Sequence, residues 1–338
     1  MIIVFKLGTN EETLGKVKEL VEKQGIEVSV TKGAQQTIFG LIGDTSTINI
    51  GQLEMNDAVE KVMKIQEPFK KANRAFHPAD SVINIDGQKI GGGHFTIIAG
   101  PCAIESEEQF MTIAKAVKEG GANFLRGGAF KPRTSPYSFQ GLGKKGIEIM
   151  EMAKKETGLP IITEMMSAKQ VEKFGDRVDV IQIGARNMQN FDLLKEVGKS
   201  KTPVLLKRGL CATYEEFLMA AEYIMAGGNE NVVFCERGIR TFESWTRNTL
   251  DVSAVPVIRR KSHLPIVIDP SHAGGINWLV EPLSRAAAAI GADGITVEVH
   301  NNPEEAMSDG QQSLLPETFA KMVDKINVLR KVMSEIDG

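Results

Sequence analysis

The sequence predicts a (β/α)8 barrel of parallel strands preceded by a small ferredoxin-like βαββαβ domain, and three observations carry that prediction. From residue 94 onward, short apolar runs alternate with helix-period segments eight times over about 245 residues, the count and size of a closed barrel. Residues 1–65 read separately as strand, helix, strand, strand, helix, strand. The first run of the barrel ends in Gly100-Pro101-Cys102, without the GxGxxG turn that marks an open doubly wound sheet. A chain of 338 residues accommodates one barrel and one such domain.

In the small domain, IIVFKL is a continuous apolar run, and Leu14, Val17, Leu20 and Val21 recur at helical spacing within 9–24. EVSVTKG and TIFGLIG read as paired strands, a short helix falls near 48–55, and VEKVMKI closes the set. Residues 66–93 are a linker ending in a hairpin. Pro68 and Pro78 interrupt any periodicity, and Asp86-Gly87 makes a tight turn between VINI and KI. That hairpin is placed to plug the lower end of the barrel, which is assigned residues 94–338.

The barrel strands are FTIIAGPC, NFLRGGAF, LPIITEM, VIQIGAR, PVLLKRG, NVVFCERG, PIVIDPSH and GITVEVH. Helices are expected near 106–119, 144–157, 167–175, 190–199, 213–227, 247–260, 279–291 and 314–334. Three open on capping signals, Ser106-x-x-Gln109, Ser167-x-x-Gln170 and Thr213-x-x-Glu216, in which a side-chain oxygen satisfies a free backbone N–H.

Forty basic and 43 acidic residues leave a net charge of −3, so no global charge draws nucleic acid or an anionic membrane. The start, MIIVFKLGTNEET, lacks a secretory-signal pattern, and no apolar window is long enough to span a bilayer, which predicts a cytoplasmic protein. Cys102, Cys211 and Cys235 are too few and too scattered for a disulfide framework, and buried thiols are the default expectation. Only Cys102 has a context that suggests more.

Barrel enzymes gather their chemistry where the strands end, so the residues closing each apolar run are the candidates. They are Cys102, Arg126 with Lys131, Glu164, Arg186, Lys207, Glu236 with Arg237, Asp269 with His272, and Glu298 with His300. Any one of these could be a strand meeting solvent. Four strands delivering five Arg or Lys residues to one end instead build a local cationic mouth, suited to a ligand with several negative charges. The second strand runs into Lys131-Pro132-Arg133-Thr134-Ser135-Pro136-Tyr137, whose cations, hydroxyls and stiffening prolines can hold a phosphate at little ordering cost.

Cys102, His272, Glu298 and Asp309 lie on or after the first, seventh and eighth strands, which are contiguous once a barrel closes. Thiolate, imidazole and carboxylates suit Mn²⁺, Fe²⁺, Co²⁺ or Zn²⁺ better than Mg²⁺ or Ca²⁺. Such an ion could polarise a carbonyl beside clamped phosphates. Isomerase chemistry, or a Schiff-base aldolase using Lys131 or Lys207, remains open on these residues.

The segments IIAGPCAIES, LRGGAFKPRTSPYSFQGLG, QIGARNMQN, LLKRG, ERGIRTFE, DPSHAGG and VEVHNNPEEAMSDGQQSL resemble the 3-deoxy-D-arabino-heptulosonate 7-phosphate (DAHP) synthases. The similarity is to the short microbial type with an N-terminal ferredoxin-like domain, and it covers essentially the whole chain. The resemblance implies condensation of phosphoenolpyruvate with erythrose 4-phosphate and water, releasing phosphate, as the first step of the shikimate pathway of aromatic amino-acid biosynthesis. It places the metal on Cys102, His272, Glu298 and Asp309. It gives phosphoenolpyruvate to Arg126, Lys131, Arg186, Lys207 and Arg237, with the backbone of Gly184 and Ala185, and the aldose phosphate to Pro132, Arg133, Thr134 and Ser135. Lys131 is the implied proton donor and Glu164 the group orienting water.

The nearest rival is 3-deoxy-D-manno-octulosonate 8-phosphate synthase, which takes arabinose 5-phosphate. The Lys131-Pro132-Arg133-Thr134-Ser135 loop favours the DAHP form. Lys71-Ala72-Asn73-Arg74 mimics the rival motif but precedes the barrel. A phosphate-binding scaffold is the non-enzymatic alternative, and it has no need of thiol, imidazole and carboxylates beside five cations. The resemblance further implies feedback through residues 1–65 by an aromatic amino acid, tyrosine or phenylalanine, against a plain oligomerisation module, and a homotetramer.

Overall fold

The structure is a computed structural model that describes residues 1–336 except 34, 35, 44, 46, 47, 65, 66 and 134. It divides into two compact units, residues 1–80 with 260–263, and residues 81–259 with 264–338.

The first unit contains β1 (Ile2–Phe5), α1 (Glu11–Glu22), β2 (Glu27–Lys32), β3 (Thr37–Ile42), α2 (Ile50–Glu54) and β4 (Val59–Met63). The strands form one antiparallel sheet in the order β2-β3-β1-β4, the ferredoxin-like arrangement predicted. Alternation decides its two faces. Ile3, Phe5, Phe39 and Leu41 pack beneath Leu14, Val17 and Val21 of α1 and Leu53 of α2. Ile2 and Val4 point the other way, onto Phe76 from the segment after the sheet. Asn10 and Asn49 cap the two helices through side-chain oxygens.

In the second unit the hairpin is β5 (Ile83–Ile85) and β6 (Gln88–Ile90), turning at Asp86-Gly87 with both residues at positive φ. The barrel follows as β7 (Thr96–Gly100), α3 (Glu107–Glu119), β8 (Phe124–Arg126), α4 (Lys144–Thr157), β9 (Ile161–Glu164), α5 (Ala168–Phe174) and β10 (Val180–Ile183). It continues through α6 (Phe191–Lys199), β11 (Val204–Lys207), α7 (Tyr214–Ala226), β12 (Val232–Glu236), α8 (Ala254–Lys261) and β13 (Ile266–Ile268). The remaining elements are α9 (Pro270–Gly274), α10 (Asn277–Ala289), β14 (Gly294–Glu298) and α11 (Pro316–Ile336). All eight strands are parallel and the sheet closes through β14 against β7.

The lower barrel is filled by Ile98, Phe124, Ile162, Val180, Leu205, Val233, Cys235 and Val267, and Ile83, Ile85 and Ile90 of the hairpin pack into the same cluster. The hairpin therefore plugs the floor. Ser106, Ser167 and Thr213 cap their helices as predicted, and Thr213 with Glu216 completes a reciprocal capping box. Residues 247–253 depart from the predicted helix. Arg247 and Asn248 donate their backbone N–H groups to Gly274 and Ala273 instead, and Thr249 pairs with Ile239.

His263, in the first unit, is 5% exposed, donates from Nε2 to the Lys71 carbonyl at 2.8 Å and stacks on His77 at 4.2 Å. Burial pushes its pKa from 6.5 down to about 4, against the Lys71 hydrogen bond, which raises it. The unfolded chain thus binds the extra proton in that window, and stability present above pH 6.5 drains away as the pH falls toward 4, by up to about 3 kcal/mol. Urea denaturation at pH 7 and pH 4.5 should show this loss in the wild type and a smaller one in His263→Gln. Equal losses would contradict it.

Candidate active site

Strand parity builds the site. Residues two apart on a strand share a face, so the positions following the apolar floor residues Phe124, Ile162, Val180 and Leu205 are Arg126, Glu164, Gln182 and Lys207. From Val233 and Cys235 the same face reaches Arg237, and from Val267 it reaches Asp269. The barrel axis is thus apolar below and charged above. These side chains are almost entirely buried, Arg126 and Arg237 at 5% exposure and Lys207 at 4%.

Buried charge demands partners, and Arg126, Lys207 and Asp269 find theirs on other strands of the barrel. Arg126 donates through Nη1 to Glu298 at 2.9 Å and to the Pro101 carbonyl at 2.8 Å. Lys207 pairs with Asp269, and Asp269 also receives the His272 ring at 2.7 Å from Nδ1. Gly184 permits a further approach. A Cβ there would lie 2.0 Å from a Glu164 carboxylate oxygen, so any larger residue would displace that acid.

Cys102, His272, Glu298 and Asp309 converge, with one ligand atom from each within 4.8 Å of all the others. Cys102 Sγ lies 3.1 Å from Asp309 Oδ2, and His272 Nε2 lies 3.4 Å from Glu298 Oε1. The chemistry of the set suits a metal ion. Burial holds His272 below its ordinary value despite Asp269 and Glu298, the direction that favours the neutral imidazole a metal ligand needs. With its Nδ1 proton directed at Asp269, its Nε2 lone pair faces the cluster. The Cys102 thiol is pushed up to about 12, first by burial and then by Glu298, against the pull of Lys131. Such a thiol stays protonated until a cation takes the proton's place.

Beside this cluster lies a cavity lined by Arg126, Lys131, Pro132, Arg133, Glu164, Gly184, Ala185, Arg186, Lys207, Arg237, His272 and Asp309. Lys131 joins the two regions, donating from Nζ to Cys102 Sγ at 3.0 Å and to the Cys102 carbonyl at 2.9 Å. Arg133 is held by the carbonyls of Phe139 and Met307. Ser135 is exposed and does not line the cavity, while Thr134 lies outside the described residues. Glu236 turns away to Arg208 at 2.9 Å. His300 sits buried 3.5 Å from Glu105, off the cavity.

The same cavity includes residues that the strand ends did not reveal: Gln182, Arg240, Arg247 and Asn248. Gln182 was accessible by parity, since it stands two residues before Gly184 on the inward face. Arg240, Arg247 and Asn248 come from the long connection after β12, where no periodicity points to a cavity.

Comparison with known proteins agrees with this architecture. The model of the DAHP synthetase I family matches residues 69–332, and that of the DAHP synthase ferredoxin-like domain matches residues 1–67. Phospho-2-dehydro-3-deoxyheptonate aldolase of Thermotoga maritima is 52% identical over 329 residues, covering 97% of each chain. The crystal structure of the DAHP synthase of that organism superposes with a TM-score of 0.78 at 51% identity, covering 98% of this chain and 97% of the other. A 2-dehydro-3-deoxyphosphooctonate aldolase of Geobacter sulfurreducens is 33% identical over 271 residues, 74% of this chain and 98% of its own. With matches spanning both units, the chain belongs to the DAHP synthetase I family.

Proposed function

We propose that the protein condenses phosphoenolpyruvate with erythrose 4-phosphate and water to give DAHP and phosphate, the entry step to aromatic amino-acid biosynthesis. The observation that carries this is a cationic cavity adjoining a four-ligand cluster, in a chain 52% identical to a DAHP synthase over nearly its whole length.

In this reading Arg126, Lys131, Arg186, Lys207 and Arg237 hold the carboxylate and phosphate of phosphoenolpyruvate, with backbone N–H groups of Ala185 and its neighbour Gly184. Guanidinium forks give the directional, two-point contacts and the lysines give point charge. Pro132, Arg133, Thr134 and Ser135 hold the aldose phosphate. For Arg133 this means exchanging its carbonyl partners for phosphate oxygens. Cys102, His272, Glu298 and Asp309 would hold Mn²⁺, Fe²⁺, Co²⁺ or Zn²⁺, and a bound ion supplies Lewis-acid polarisation of the aldehyde oxygen.

Carbon 3 of phosphoenolpyruvate then bonds to the aldehyde carbon. Lys131, already at the border of cluster and cavity, donates the proton that the aldehyde oxygen takes up. Water adds at carbon 2, oriented by Glu164, and departure of phosphate leaves the ketone. The cations around the cavity hold both phosphates in place until the one on carbon 2 departs.

Arabinose 5-phosphate is the acceptor to exclude, because octulosonate aldolases match the barrel at 33% identity or below. The higher identity to the heptonate enzyme, together with the match of residues 1–67 to a DAHP synthase domain, favours the four-carbon acceptor. We assign that domain to feedback by tyrosine or phenylalanine, in a cytoplasmic homotetramer. Among the described residues no helix is long and apolar enough to cross a membrane.

Phosphate release from phosphoenolpyruvate should depend on erythrose 4-phosphate, with arabinose 5-phosphate a poor substitute, and should disappear after chelation and return with metal. Equal rates with both aldoses would contradict the acceptor assignment. Cys102→Ala should reduce metal-dependent turnover to background, and retained turnover would contradict the ligand assignment. Deleting residues 1–65 should leave an enzyme insensitive to tyrosine and phenylalanine. Unchanged inhibition would contradict the regulatory role.

A further inference from the structure

The two carboxylates of the cluster each divide their oxygens between inside and outside. Asp309 turns Oδ2 toward Cys102 and Oδ1 toward Arg247 Nη1 at 3.2 Å. Glu298 turns Oε1 toward His272, while its Oε2 accepts from Gln312 Nε2 at 2.7 Å. Gln312 Oε1 in turn accepts from Arg247 Nη1 at 2.9 Å, and that bond decides which way the amide points. One guanidinium therefore reaches both carboxylates, one directly and one through a fully buried amide.

Arg247 is itself built into place. Its N–H donates to the Gly274 carbonyl at 3.1 Å, and Asn248 donates from backbone and side chain to Ala273 and His272, stitching the segment to the turn that carries the histidine. Gly275, at φ +76°, lets this happen, since a Cβ there would come within 2.4 Å of the Arg247 Cβ. Asp309 sits at φ +54°, an uncommon backbone state that Asp adopts more readily than most residues.

We infer that Arg247, with Gln312 as relay, is a positioning pair that aims the Asp309 and Glu298 carboxylates into the cluster and thereby sets its metal affinity. The inference rests on the metal reading given above. Groups that orient metal ligands in this way commonly change affinity by about 10–100-fold when removed. Lining the cavity, Arg247 could alternatively serve only as a substrate contact, and metal binding measured without substrate separates the two roles.

The test is competition for Mn²⁺ and Co²⁺ between a calibrated chelator and the metal-free, full-length protein. Arg247→Ala and Gln312→Leu should each raise the metal Kd by about tenfold or more. The double variant should be little worse than the weaker-binding single, because both act on one chain of hydrogen bonds. The visible spectrum of bound Co²⁺ should shift in all three. If Arg247→Ala does not fold, Arg247→Lys, which lacks the planar guanidinium that holds Nη1 against both Asp309 and Gln312, and Gln312→Leu carry the measurement. A Kd within twofold of wild type in folded variants overturns the brace. A wild type that takes up neither metal overturns the metal reading, and the brace with it.

Discussion

Charge removed from water must be paired, and the upper half of this barrel is organised around that requirement. Arg126 with Glu298 and Lys207 with Asp269 are ion pairs almost without solvent contact, each linking strands that are not neighbours in sequence. Losing one partner removes the ion pair from a charge that stays buried. The pairs do more than cancel charge. Glu298 and the Asp269–His272 pair belong to the ligand cluster and its support, whereas Arg126 and Lys207 face the cavity, so the same contacts fix the spacing between the two halves of the site.

The floor makes that arrangement affordable in structural terms. Ile83, Ile85 and Ile90 close the lower end with the inward residues of seven strands, leaving the polar face only one way to open. Alternation then carries five strands, β8, β9, β11, β12 and β13, from an apolar floor residue to a charged one two positions later. Arg126, Glu164 and Lys207 are all placed by this rule. Glu236 shows its reverse, since one step of parity sends it outward to Arg208 while Arg237 faces the cavity.

Much of this was legible in the sequence because the signals are local or periodic. Apolar runs gave the strands, Ser106, Ser167 and Thr213 gave helix starts, and Asp86-Gly87 gave the hairpin. Contiguity of the first, seventh and eighth strands brought Cys102, His272, Glu298 and Asp309 together before any distance was known. What was hidden depends on long-range pairing. Residues 247–253 have helical spacing, but the carbonyls of Ala273 and Gly274 capture their backbone donors, and no feature of the segment alone reveals that. The reach of Arg247 to Gln312, 65 residues later, is hidden for the same reason. Ser135, a hydroxyl in the same suggestive loop as Arg133, lies exposed in this structure, and its place at the aldose phosphate belongs to the proposal.

The central claim is that an ion held by Cys102, His272, Glu298 and Asp309 stands at the edge of the cavity that takes phosphoenolpyruvate. Anomalous diffraction from crystals grown with Mn²⁺ and phosphoenolpyruvate tests it most directly. A single strong peak is expected within coordination distance of Cys102 Sγ, His272 Nε2 and the two carboxylates, with the phosphoenolpyruvate anion on Arg126, Lys131 and Lys207. A peak elsewhere, or the anion bound away from those cations, would contradict it.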